Sequence, residues 1–76
     1  MKDLLIYIAK HLVDHPDDVT VSERALDSST VYELRVAPGD MGKVIGRYGR
    51  MAKDIRTLIR AAAKRQGKRV SVEIID

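Results

Sequence analysis

Gly46-Arg47-Tyr48-Gly49 is the stretch of this sequence best suited to hold an anion. It separates two segments with helical periodicity, and a joint of four residues demands positive φ or close backbone approach, which glycine supplies without a Cβ. The helix that follows begins with N–H groups that have no internal partners. They sit at the positive end of its dipole, where a phosphate is stabilised. Gly46 and Gly49 leave room for a sugar–phosphate chain, and Arg47 is placed to donate two hydrogen bonds to a neighbouring phosphate.

The following helix, residues 50–66, divides into two faces. At 100° per residue, Arg50, Lys53, Arg56, Arg60 and Lys64 fall within an arc of about 120°. Met51, Ile55, Leu58, Ile59 and Ala62 are expected on the core side, with Ala52 flanking. Lys43, Arg47 and Arg50 carry the cationic strip onto the loop. The whole chain carries a net charge of +3, but residues 1–42 sum to −4 and residues 43–69 to +9. Such sorting points to a polyanion partner for one surface. A single-stranded nucleic acid held through roughly three or four phosphates would lose affinity with salt at a slope of about −2 to −3.

Other chemistry finds little support. There is no Cys, which excludes a disulfide scaffold and a thiolate metal or redox site. His11 and His15 stand four apart with no acid or thiol completing a ligand set, and Asp17-Asp18 follows a proline as turn residues do. Ser28-Ser29-Thr30 offers hydroxyls without a base, and no nucleophile–base–orienter set is visible. An enzyme, a metal centre, a cofactor and a small-molecule substrate are therefore not expected. No apolar run approaches the length of a membrane span. Asp3 directly precedes the first apolar segment, unlike a secretory leader, so the expected location is the cytoplasm.

The elements that must position the loop can be read in order. Leu4, Leu5, Ile8 and Leu12 recur at helical spacing over residues 3–14, and His15-Pro16 is expected to end that helix. Residues 19–26 and 30–37 read as a β-hairpin closed by Asp27-Ser28-Ser29. Val19 and Val21 share one face, as do Tyr32, Leu34 and Val36. Asp40 is expected to cap a short helix over 41–45. Gly67 stops the long helix, and residues 69–75 alternate Val70, Val72 and Ile74 inward as a last strand. The order α-β-β-α-α-β, with a three-stranded sheet covered by helices on one face, is a two-layer α+β domain spanning residues 1–76.

Val44-Ile45-Gly46-Arg47-Tyr48-Gly49, with Ile55 closing the pattern, resembles the signature of KH domains. The preceding helix and strands resemble the type II arrangement, and the stretch from Asp40 to Arg50 is similar to small stand-alone bacterial KH proteins of the KhpA type. The resemblance implies a non-catalytic protein that clamps about four nucleotides of single-stranded RNA. Gly46, Arg47, Tyr48 and Gly49 would take the backbone, and Lys43, Arg50 and Lys53 would supply charge. Val44, Ile45 and Ile55 would line the groove or support its wall. Ala52 departs from the signature's usual Ile or Lys, which would leave the groove shallower. Tyr48 stands where a small polar or basic residue is usual, and either stacks on a base or folds down on Arg50. The resemblance further implies a broad RNA binder or RNA chaperone, a homodimer or a heterodimer with a larger KH protein of the KhpB or Jag type, and a role in cell elongation and division. Asp54, Thr57 and Ala61 form a strip of small side chains that would serve as the dimer surface. The competing reading is an assembly module whose groove takes a protein or ribosomal partner.

Overall fold

The computed structural model describes residues 1–75. Helix α1 spans Lys2–Leu12, strand β1 Thr20–Ala25 and strand β2 Thr30–Arg35. Helix α2 is Met41–Ile45, helix α3 is Arg50–Arg65 and strand β3 is Val70–Ile75. Single 3-10 turns at Pro16–Asp18, Pro38–Asp40 and Arg47–Gly49 connect them. The sheet order is β1-β2-β3, with β1 antiparallel and β3 parallel to the central strand.

Period-two alternation sorts the two faces of the sheet. Val19, Val21, Tyr32, Leu34, Val70 and Val72 turn to the helices and form the core with Leu5, Ala9, Val44, Ile55, Ile59 and Ala63. The opposite face is polar. There Arg24 lies between Glu33, at 3.8 Å, and Glu73, at 3.7 Å, and relieves a like-charge pair set in register by the parallel strands. Val31 is buried on that face between its register partners Arg24 and Ser71.

Two expectations need correction. Helix α1 ends at Leu12, and Val13 is extended at φ −106°, ψ 160°. The reason is tertiary: the backbone N–H groups of Asp14 and His15 donate to the Asp40 carboxylate at 3.2 and 3.0 Å, which draws the chain out of the helix before Pro16. For the same reason Asp40 does not cap α2. It stands at the N-cap position, but its side chain makes no cap hydrogen bond and points instead into the α1 terminus.

The core face of α3 is also rotated from the expected one. Ala52, Ile55, Ile59 and Ala63 are buried, Met51 and Ala62 are half-buried, and Leu58 is 51% exposed. Small residues allow this: alanines at 52 and 63 let the helix lie close to the sheet, so the deepest line runs through them. The helix ends where expected. Lys68 N–H donates to Ala63 C=O and Gly67 N–H to Lys64 C=O, the two reverse bonds of a Schellman closure.

Candidate nucleic-acid interface

The loop between α2 and α3 has a backbone that few residue types can follow. Gly46 lies at φ 75°, ψ 177°, a region essentially reserved for glycine. A Cβ there would sit 2.6 Å from Met51 Cβ and 2.9 Å from Met51 N, inside any permissible contact. The loop is thus pressed against the first turn of α3, and only a bare α-carbon permits it. Gly49 is left-handed at φ 73°, with open space where its Cβ would be. Tyr48 is also left-handed, at φ 59°, ψ 25°, which costs a non-glycine residue roughly 1–2 kcal/mol. Its ring is 89% exposed, and the Arg50 guanidinium lies over it at 5.9 Å from the centroid. Tyr48 thus presents a solvent-facing ring with a cation over one face.

The cations of the loop and of the outer arc of α3 are exposed. Arg47, Arg50, Lys53, Arg56, Arg60 and Lys64 are all exposed. Lys43 differs. Its ammonium lies 3.1 Å from Asp14 and 3.6 Å from Asp40, and the hydrogen bond to Asp14, aided by the two acidic charges, raises its pKa. Its charge is thus shared with acids rather than held free for a ligand. Ile45 is partly exposed beside the loop. Val44 and Ile55 are 0% and 2% exposed and belong to the core. Ala52 is buried as well. Asp54, Thr57 and Ala61 are exposed on the outer ridge of α3, beside the exposed Leu58.

Asp40, at the start of α2, is bonded to the chain that follows α1. Its carboxylate is 1% exposed. Burial pushes its pKa up, but the N–H groups of Asp14 and His15 and the His15 ring, at 3.2 Å, outweigh that and hold it below the ordinary carboxylate value. This latch joins residues 25 and 26 positions apart, and nothing in the local sequence signals it. The histidines do not converge. His11 Nδ1 bonds the Tyr7 carbonyl at 2.8 Å, whereas His15 faces Asp40.

Arg56 is a second residue whose role the basic arc alone did not distinguish. Its Nε donates to the Val72 carbonyl at 3.4 Å, which ties α3 to the free edge of β3. The loop and the start of α3 are thus carried by an α-β-β-α-α-β chain with a mixed three-stranded sheet, α3 lying beside the edge strand β3.

That combination of topology and glycine-bounded loop defines a KH domain in the type II arrangement. The family model for the KH domain of KhpA and KhpB matches residues 2–74. The chain is 63% identical over 75 residues to a protein of Clostridium acetobutylicum described as RNA-binding protein KhpA, covering 99% of this chain and all of the relative. Proteins of the same description from Halalkalibacterium halodurans and Listeria monocytogenes are 55% and 46% identical over 76 residues, with complete coverage of both chains. The chain belongs to the KhpA/KhpB KH-domain family, whose members are non-catalytic.

Proposed function

We propose that this chain binds single-stranded RNA, with the backbone of about four nucleotides gripped at Gly46-Arg47-Tyr48-Gly49. The observation that carries the reading is the Gly46 backbone, whose missing Cβ lets the loop lie bare against the start of α3. Arg47, Arg50 and Lys53 supply free positive charge, and Lys43 adds the part not drawn to Asp14 and Asp40. Ile45 offers an apolar contact, while Val44 and Ile55 hold the wall. The names of the relatives favour RNA over DNA.

The whole chain acts as one KH unit in the cytoplasm; among the described residues no helix is long and apolar enough to cross a membrane. A single small site binds weakly, and pairing raises its effective concentration. We assign that pairing to the α3 ridge of Asp54, Thr57 and Ala61, either with a second copy or with a KhpB/Jag-type KH partner. The family description couples KhpA with KhpB, which favours such a partnership. A broad RNA-binding or chaperone role in cell elongation and division follows from the same resemblance.

The test replaces Arg47 and Tyr48 with Asp and keeps both glycines. Helicity should be unchanged and melting no lower than in the wild type, and affinity for a short single-stranded RNA should fall at least tenfold. Unaltered RNA affinity would remove the loop from the site. Retained RNA affinity with loss of a protein partner would favour the assembly-module reading.

A further inference from the structure

A concavity of about 750 Å³ lies away from the loop. It lies at the opposite end of α3, where the hydrogen bond from Thr30 N–H to Arg69 C=O brings the β1–β2 turn against the start of β3. Arg60, Lys64, Lys68 and Arg69 line it together with Ser28, Ser29 and Ser71. No carboxylate lines it, and none of the four cations makes an ion pair among the described residues. Elsewhere among the described residues Arg24 pairs with Glu33 and Glu73, and Lys43 with Asp14 and Asp40.

Four unpaired cations converging on one hollow repel each other unless an anion is present. Arginine and lysine together give a forked donor and a mobile point charge, which suits successive phosphates along a flexible chain. Arg60 and Lys64 lie ten and fourteen residues beyond Arg50 on the same helix, about 15–21 Å from the loop. A side chain at the loop cannot share a phosphate with this hollow, but one strand can run from one to the other along the Arg56 side of α3.

We propose that this concavity is a second phosphate-holding site, which receives the sugar–phosphate backbone of the same RNA strand beyond the nucleotides gripped at the loop. The proposal rests on the RNA-binding reading above and extends its footprint to the full length of α3.

The experiment compares two single-stranded RNAs, one of about four nucleotides and one roughly three times as long, on the wild-type chain and on Arg60→Glu/Lys64→Glu. Both side chains are exposed, so folding should be unaffected; Lys10→Glu/Arg35→Glu is the control with the same change in net charge. The long strand should bind the wild type more tightly than the short one. The pocket variant should lose about tenfold for the long strand and little for the short, and its salt slope should flatten by about 1.4, two phosphates' worth. The control should change neither selectively. Equal wild-type affinity for both lengths, or an equal loss in the control, overturns the second site. So does a nucleoside triphosphate that binds the wild type as tightly as the long strand, since the hollow would then serve a free phosphate compound. If the wild type binds neither strand, the RNA reading itself fails and this proposal falls with it.

Discussion

Gly46 and Met51 approach so closely that a single added methyl group on Gly46 would overlap the Met51 backbone nitrogen and Cβ, at 2.9 and 2.6 Å. Gly49, three residues on, has nothing within 4 Å of the same construction. The two glycines of the loop are thus unequal. Gly46→Ala meets both a forbidden φ/ψ region and a backbone clash, so the loop must move off α3; we expect a loss of more than about 2 kcal/mol, with RNA affinity lost as well. Gly49→Ala meets only the left-handed φ and should cost about 1–2 kcal/mol. Thermal melting of the two variants, with RNA titration of whichever stays folded, checks the order.

Tyr48 holds a strained backbone for no gain in packing, since its ring is almost wholly exposed. Strain of that kind persists at sites where the side chain is wanted for something else. Asparagine tolerates the left-handed region far better than tyrosine. Tyr48→Asn should therefore stabilise the fold by up to about 1 kcal/mol while weakening RNA binding by about 1–3 kcal/mol, the value of one base on one ring. A stabler variant with full RNA affinity would show that the ring stacks on Arg50 alone.

The Asp40 latch predicts how stability responds to acid. Desolvation favours the protonated form, but the two N–H groups and the His15 ring favour the carboxylate more, so the folded-state pKa lies below the ordinary value. A depressed carboxylate contributes stability above its unfolded value of about 3.9 and loses it as pH falls through the folded one. The melting temperature of the wild type should thus drop below about pH 4, and Asp40→Asn should flatten that part of the profile. It should also lower the melting temperature at neutral pH, because the amide oxygen can accept from one of the two N–H groups while its NH2 faces the other. Melting curves from about pH 2 to pH 7 decide the matter.

Much of this arrangement was legible because it is local. Alternation set the faces of Val19, Val21, Tyr32, Leu34, Val70 and Val72, and glycine spacing marked the loop and the stop at Gly67. What escaped was set by partners distant in sequence. Asp40 looked like a helix cap because nothing near it showed that the end of α1 would supply two N–H groups. Lys43 looked like a free cation for the same reason. The rotation of α3 escaped because a helical wheel weights side chains by hydrophobicity, whereas the sheet selects for size. Ala52 and Ala63 fit against it, and Leu58 is turned out.

Leu58 and Ile59 are neighbours with opposite consequences, and this yields a test of the pairing surface. Ile59 is fully buried, so Ile59→Ala should cost about 2–5 kcal/mol through lost burial and a cavity. Leu58 is half exposed on the flank of the Asp54, Thr57 and Ala61 ridge, so Leu58→Lys should leave the melting of the isolated fold within about 0.5 kcal/mol. If that ridge joins two copies, the same lysine places a charge in the contact and shifts the sedimentation of the protein toward the monomer. A variant that melts like the wild type and sediments as a smaller particle places the contact on α3. One that melts and sediments like the wild type moves it to another face, and the small side chains of the ridge would then need a different explanation.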